Sequence, residues 1–498
     1  MDRSKFHIDL HAIARQAMED YGFIPSYPRK VIREVQQINE EHLRKVNEIS
    51  VKDMRGLLWS SIDNVDSLDL DQIEYCEYAS NNEIRVLVAI ADVDELVPKR
   101  SQTDLHARHN GTSVYTGVEI FPMLPEQLSA NLTSLKQDED RLAVVSEYFV
   151  KKDGELRCGN IYRALIRNKA KLIYESLGDW LEGNASIPEL VNGNVELQKQ
   201  IRLQDEAAQR LHQFRMASGN LELDTIEASP LMKDGQVAEL VVKKKNRARY
   251  LIENFMIAAN ETMVNFLEKR NFAVIQRVVP VPEEEKWEKI RAVALALGTK
   301  LPPNPESIPL SQFLKNRREA DPERFPDLSL TIVKLLGAGE YEVLDASDDT
   351  IGHFGLAVHD YTHSTAPNRR YVDVVIQRMV KSVLAKAKNP YSKKELTDIA
   401  LWCTDRDKSA KKVERFMRKV AGAMLMRGRI GDVFEGIVTG ASSKGTYVRV
   451  IDPPVEGRVV QGGRTMNVGD KVRVRLMNMV PEKGFIDFEG MGGTRKFQ

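Results

Sequence analysis

The chain changes its period of apolar and polar positions several times along its length. Leu10, Ile13, Ala14 and Met18 recur at helical spacing, and the charged stretch from Lys30 to Val46 suits a solvated helix. From about Asp53 the texture shifts. IRVLVAIADV, from Ile84 to Val93, is almost continuously apolar, as a strand covered on both faces should be. Helical periodicity returns over 195–217 and 247–271; in the second stretch Leu251, Phe255, Ala258, Ala259 and Met263 recur at three or four positions, which predicts a largely buried helix. Another helix is expected over 370–387, Asn389-Pro390 breaks it, and a further one runs through the basic stretch Asp405 to Lys419, read first as a solvated face. From Gly428 short alternating segments punctuated by glycine, GDVFEGIVTG, KGTYVRVID, GDKVRVRLMNM and GFIDFEG, predict about five strands and a small closed barrel.

The expected class is therefore α+β, in five parts: a helical N-terminal extension (1–50), a mixed domain (51–388), a helical connector (389–426), a barrel (427–490) and a flexible tail (491–498). Composition changes this picture little. Lys plus Arg equals Asp plus Glu at 72 each, so no global charge announces a polyanion partner. From Arg427 onward there are 12 Lys or Arg against 8 Asp or Glu, a local surplus of 4. Three cysteines without a CxxC pair argue against a disulfide framework or thiolate zinc site and make the cytoplasm the expected location. No secretory leader or membrane-length apolar run is visible.

The chemistry-bearing stretch is SIDNVDSLDLDQ, Ser61 to Gln72, with Asp63, Asp66, Asp69 and Asp71 crowded together. Carboxylates packed this closely repel, so either solvent screens them or a cation offsets them. The EF-hand spacing is missing, which leaves a solvated turn or a divalent-metal site for phosphodiester chemistry. If Asp69 to Asp71 is extended, those two side chains share a face. Spacing alone leaves both readings open. His353, His359 and His363 cluster without the HExxH arrangement, which favours structural or phosphate-contacting roles over zinc.

The order of motifs narrows the choice. DMRGLLWSSIDNVDSLDLDQ, RVLVAIADVDELV, HARHNGTSVYTGVEIFPMLPEQLSANLTSL, DRLAVV, GNLELDTIEA, LIENFMIAAN and DYTHSTAPNRRYVD succeed one another over about residues 51–388. Together they closely resemble the RNB catalytic domain of the ribonuclease II and ribonuclease R family. The terminal barrel resembles an S1 motif domain, an OB-type fold. The resemblance implies an RNB domain of mixed sheet surrounded by helices, and a Mg²⁺-dependent enzyme that shortens single-stranded RNA from the 3′ end, releasing nucleoside 5′-monophosphates. It implies no membrane and no small-molecule organic cofactor; the chain is expected to act as a monomer.

Carried over position by position, the resemblance puts Asp63, Asp69 and Asp71 on three of the family's four active-site aspartates, as metal ligands and catalytic groups. The fourth position is Gln72, which offers a carbonyl oxygen but no charge; Asp66 is close enough in sequence to compensate. Arg369 matches the arginine beside the scissile phosphate. Arg370 is a second candidate for substrate contact, with a structural ion pair as the alternative. Tyr115 matches the tyrosine stacked on the 3′-terminal base, and Glu253 falls where the family contacts the terminal nucleotide. On the barrel, Lys444, Tyr447 and Arg449 are expected on the RNA-binding face. Ala89 stands where the family usually has histidine, and APNRRY replaces SPIRRY, which suggests a divergent branch. Only some 50 residues precede the catalytic domain, too few for the two cold-shock barrels most relatives carry, so weaker anchoring of long RNA is expected. The rival reading is a catalytically weakened RNA-binding scaffold.

Overall fold

The structure, a computed structural model, describes residues 8–38, 51–224, 228–233, 236–242, 245–345, 348, 352–442, 445–464 and 466–491. Near the N-terminus, α1 (Leu10–Asp20) is capped by Asp9, whose carboxylate accepts from the Ala12 amide, and α2 (Arg29–Gln36) buries Val31 and Val35. The first of these follows the predicted spacing. The part of the Lys30 to Val46 expectation beyond residue 38 lies outside the described residues.

The main sheet of the larger domain is built from β1 (Lys52–Asp53), β2 (Trp59–Asp63), β3 (Gln72–Tyr78), β4 (Ile84–Ala91), β7 (Asp140–Val150) and β8 (Leu156–Ile173), in the order β1-β8-β2-β3-β4-β7. The long strands β7 and β8 also pair with each other, so the sheet curls back on itself. Between β4 and β7 lie α3 (Gln102–Asn110) and a small hairpin, β5 (Val114–Tyr115) and β6 (Ile120–Phe121).

Strand β4 shows why the pattern around residue 84 is almost unbroken. Val86, Val88 and Ile90 pack on one face with α4 (Tyr174–Leu181), α5 (Val195–Ala217) and the first half of α6 (Arg247–Glu268), while Leu87, Ala89 and Ala91 face the opposite core. The predicted burial of Leu251, Phe255, Ala258, Ala259 and Met263 along α6 is observed. Two ribbon strands, β9 (Ala228–Lys233) and β10 (Gln236–Val242), precede α6. A second pair, β11 (Val274–Val278) and β12 (Glu340–Leu344), brackets α7 (Glu284–Ala296), α8 (Ser307–Ala320) and α9 (Phe325–Leu336), which share a core of their own.

Helix α10 (Tyr371–Leu384) fills the second face of the sheet. The connector is one 33-residue helix, α11 (Lys393–Leu425), opened by a Ser392/Glu395 capping box. The solvated-face reading of Asp405 to Lys419 needs correction. Arg406, Ala410, Val413 and Met417 recur at helical spacing and are buried, so the charges occupy only the remaining faces. At its far end Ala421, Ala423 and Met426 enter the core of the closed barrel formed by β13 (Val433–Ser442), β14 (Gly445–Val450), β15 (Glu456–Gln461), β16 (Lys471–Val480) and β17 (Phe485–Gly490). The helix is a spine shared by both domains.

A second tie joins the barrel to the larger domain. Arg449 on β14 reaches Asp327 on α9 at 2.9 Å, and both side chains are largely buried. Arg449→Ala would leave the Asp327 carboxylate at the seam without its cation, at a cost of about 1–3 kcal/mol. Faster amide hydrogen exchange in β14 and α9, with β3 and β4 unchanged, is the expected outcome.

Candidate active site

The acidic stretch runs from the end of β2, through a turn, to the start of β3. Asp63 is the last residue of β2, pairs in register with Ile173, and is 8% exposed. Residues 64–71 have no regular structure and are pinned from outside. Lys171 on β8 donates to the carbonyls of Val65 (3.3 Å) and Ser67 (2.6 Å). Arg249 on α6 donates to Asn64 Oδ1 at 3.1 Å. The Ser134 hydroxyl donates to the Leu68 carbonyl and accepts from the Leu70 amide, and the Leu135 amide closes on the Leu70 carbonyl.

Asp71 is 3% exposed. Its Oδ1 accepts the Asn368 amide at 3.0 Å and its Oδ2 lies 3.4 Å from Arg369 Nε. The Arg369 side chain remains about half exposed, so it compensates Asp71 while still open to solvent. Tyr115 stands beside the same pair, its phenol near enough to feel the charges of Asp69, Asp71 and Arg369, and the residue is 41% exposed. This proximity is built by backbone pairing: Ser113 N and the Thr112 hydroxyl donate to the Arg369 carbonyl, and Tyr371 N donates to the Gly111 carbonyl. The strand entering the Tyr115 hairpin is thereby zipped to the turn that carries Arg369.

Burial dominates the electrostatics. Desolvation pushes the Asp63 carboxyl up to about 6, with Asp69 adding to the rise, and Asp71 up to about 7, with Asp69 opposing its ionisation and Arg369 favouring it. Asp69 is raised by burial and then by Asp66. Asp63 Oδ2 is buried and has no hydrogen-bond partner. Crowded, desolvated carboxylates with an orphaned oxygen are what a hard cation would relieve. Among the described residues no group of three His, Cys, Asp or Glu is arranged to hold a metal by itself. Asp63, Asp69 and Asp71 offer hard oxygen donors, the kind a Mg²⁺ ion takes in part while it keeps water in its shell.

The remaining expected residues lie in different settings. Gln72 opens β3, buried, opposite Ile90, while Asp66 is exposed on the turn and adds its charge next to Asp69. Arg370 pairs with the buried Asp373 at 2.8 Å, and Asp373 also accepts the Ala366 amide, so Arg370 anchors the turn. This matches the ion-pair alternative. Glu253 lies one turn along α6 from Arg249 and pairs with Lys245 at 3.1 Å. Tyr447 is half-buried on β14 opposite Arg458. Arg449 is committed to Asp327, so its guanidinium faces the domain seam rather than an open face. Lys444 lies outside the described residues. His353 and His363 flank the Tyr361 ring edge-on, and His363 Nδ1 contacts the Tyr341 hydroxyl at 2.7 Å, which supports their structural reading.

A model of the RNB domain matches residues 51–386, and one of the RNase II-type exonuclease C-terminal S1 domain matches residues 432–490. The chain belongs to the RNB exoribonuclease family. It is 30% identical to Ribonuclease R of Aquifex aeolicus over 497 residues, covering 94% of this chain and 69% of that protein. Against Ribonuclease R of Escherichia coli the figures are 28% over 508 residues, 94% and 61%. The fold matches Mycoplasma genitalium RNase R in complex with ribose methylated single-stranded RNA at a TM-score of 0.86 and 22% identity, covering 97% of this chain and 78% of that one. It also matches yeast Ssd1, a pseudonuclease, at 0.69 and 14% identity, covering 94% and 58%.

For this RNB chain, sequence reasoning missed Asn368, Lys171 and Ser134, which shape the acidic turn. Asn368 acts through its backbone amide and Ser134 partly through the Leu70 amide it accepts, so residue type carried little signal. It also missed Glu74, fully buried behind Asp63 with both carboxylate oxygens unpartnered and its pKa raised well above normal by burial and then by Asp63.

The raised carboxyl pKa values carry a stability consequence. An unfolded aspartate titrates near about 4, so between that value and about 7 folded Asp71 keeps a proton the unfolded chain has released. Stability from this source is present at low pH and is lost as pH rises through that window. In chelator, Asp71→Asn is therefore expected to stabilise the protein at pH 8, on the order of 2–4 kcal/mol, and hardly at all at pH 4. Denaturant titration at the two pH values checks this; an equal effect at both would refute it.

Proposed function

We propose that this chain is a Mg²⁺-dependent exoribonuclease that removes nucleotides one at a time from the 3′ end of single-stranded RNA, releasing nucleoside 5′-monophosphates. The observation that carries the reading is the convergence of Asp71, Asp69, Arg369 and Tyr115 on one partly open site. In this reading carboxylates from Asp63, Asp69 and Asp71 would share the metal with water and substrate oxygens, and the metal would supply a more acidic water and charge neutralisation at the phosphate.

The chain's own groups do the rest. Tyr115 presents a ring face on which the terminal base stacks, a contact indifferent to base identity. The half-exposed Arg369 binds phosphate oxygens and offsets charge that develops as water adds to phosphorus and the bond to the upstream 3′ oxygen breaks. Asp71, held by the Asn368 amide and Arg369, orients the attacking water. The leaving 3′ oxygen takes up a proton and becomes the new RNA terminus. Glu253 supports the strand's path beside the site, Arg370 holds the turn that carries Arg369, and Tyr447 offers a barrel contact for RNA upstream.

A second reading rests on Gln72. A buried amide at the family's fourth acidic position removes one charge from the site. The protein would then bind RNA on a nuclease scaffold with little turnover.

Incubating 5′-labelled single-stranded RNA with Mg²⁺ or with chelator separates the two. Stepwise shortening that needs metal, with a loss of roughly a thousandfold in kcat for Asp71→Asn at nearly constant RNA affinity, is the expected result. Retarded but intact RNA in every lane would establish the scaffold reading instead. Tyr115→Ala should raise KM for short RNA by about tenfold, equivalent to roughly 1–3 kcal/mol of lost stacking.

A further inference from the structure

The hairpin that carries Tyr115 has two paired positions, Val114 with Phe121 and Tyr115 with Ile120. A ribbon this short does not hold its own shape in water, so its surroundings set where Tyr115 stands. Three elements enclose it. Glu414 on α11 accepts the Tyr115 amide at 3.1 Å. On the second side, Pro230 of β9 lies against the hairpin turn at Gly117, whose backbone has φ +79° and where an added Cβ would come within 2.4 Å of the proline ring.

The third element is α1. Ala14 and Met18 share a buried core with Val114 and Phe121. Above that core Glu119, in the hairpin turn, takes Arg15 at 2.5 Å and His11 at 3.3 Å. Just after α1 the chain is tied down again: Ile24 exchanges two hydrogen bonds with the Asn110 side chain at 3.0 Å each, and the Tyr27 hydroxyl donates to the Pro122 carbonyl at 2.7 Å. Both ties flank the hairpin in sequence.

We propose that the N-terminal extension is a brace that positions Tyr115, with Arg15 and Glu119 as positioning residues that set how firmly the 3′-terminal nucleotide is held. The inference rests on the reading of Tyr115 as the stacking platform. Arg15 is far in sequence from every group assigned to chemistry, and its side chain is about half exposed, so changing it leaves the core intact.

The test measures single-turnover and steady-state kinetics of the full chain on a short single-stranded RNA, for Arg15→Glu, Glu119→Arg and the doubly reversed pair. Each single reversal is expected to raise KM about threefold to fivefold with kcat within about twofold, and the double reversal to restore KM. In a Tyr115→Ala background Arg15→Glu should add nothing further. Unchanged KM in the single variants, no recovery in the double, or an undiminished effect without the Tyr115 ring would each overturn the brace. If Tyr115→Ala itself leaves KM unchanged while catalysis persists, the stacking reading fails instead, and the two failures are distinguishable. Equal thermal midpoints for wild type and the reversal variants establish that fold loss is not the cause.

Discussion

Everything at this site depends on how a buried carboxylate is kept tolerable. Asp71 is almost fully enclosed, and a charge in that position is costly unless a partner answers it. The partners are the Asn368 amide and Arg369, both from one turn. The compensation is partial, because Asp69 stands beside it and the Asp71 carboxyl remains raised. A site left short of positive charge is poised for a cation and for a phosphate brought with it.

That electrostatic arrangement needs rigid surroundings. The turn bearing Arg369 is fixed by Arg370 on the buried Asp373 and by hydrogen bonds to residues 111–113. The acidic turn is fixed from strand β8 by Lys171 and from α6 by Arg249. Strands and helices far apart in sequence thus each contribute one restraint, as preorganised sites require. Helix α11 extends the same logic to the whole molecule, since its inward face runs from the catalytic core past the Tyr115 hairpin and into the barrel.

Gln72 and Glu74 set the polarity of the strand that follows Asp71. Gln72 places a neutral amide at the head of β3, whereas Glu74, two residues on and on the same strand face, is buried without a hydrogen-bond partner for either oxygen. Burial, and then the neighbouring Asp63 charge, raise its pKa well above the usual carboxylate range. Asp66 stands exposed on the turn, where its charge raises the Asp69 carboxyl.

Much of the fold was legible in the pattern of residues, because periodicity reports how many faces an element buries. The unbroken apolar run of β4, the buried stripe of α6 and the alternating strands of the barrel all announce themselves this way. The motif order likewise marked Asp63, Asp69, Asp71, Arg369 and Tyr115 as candidates. The charge-rich stretch of α11 misled because inward positions at helical spacing were outnumbered by charged neighbours. What only the tertiary structure decided is which charges meet. Arg449 turns to Asp327, Arg370 to Asp373, Lys171 to the acidic turn and Arg15 to Glu119, pairings between segments up to some hundred residues apart. Residue type establishes that a guanidinium can bind phosphate or carboxylate; packing alone settles which oxygen lies within its reach.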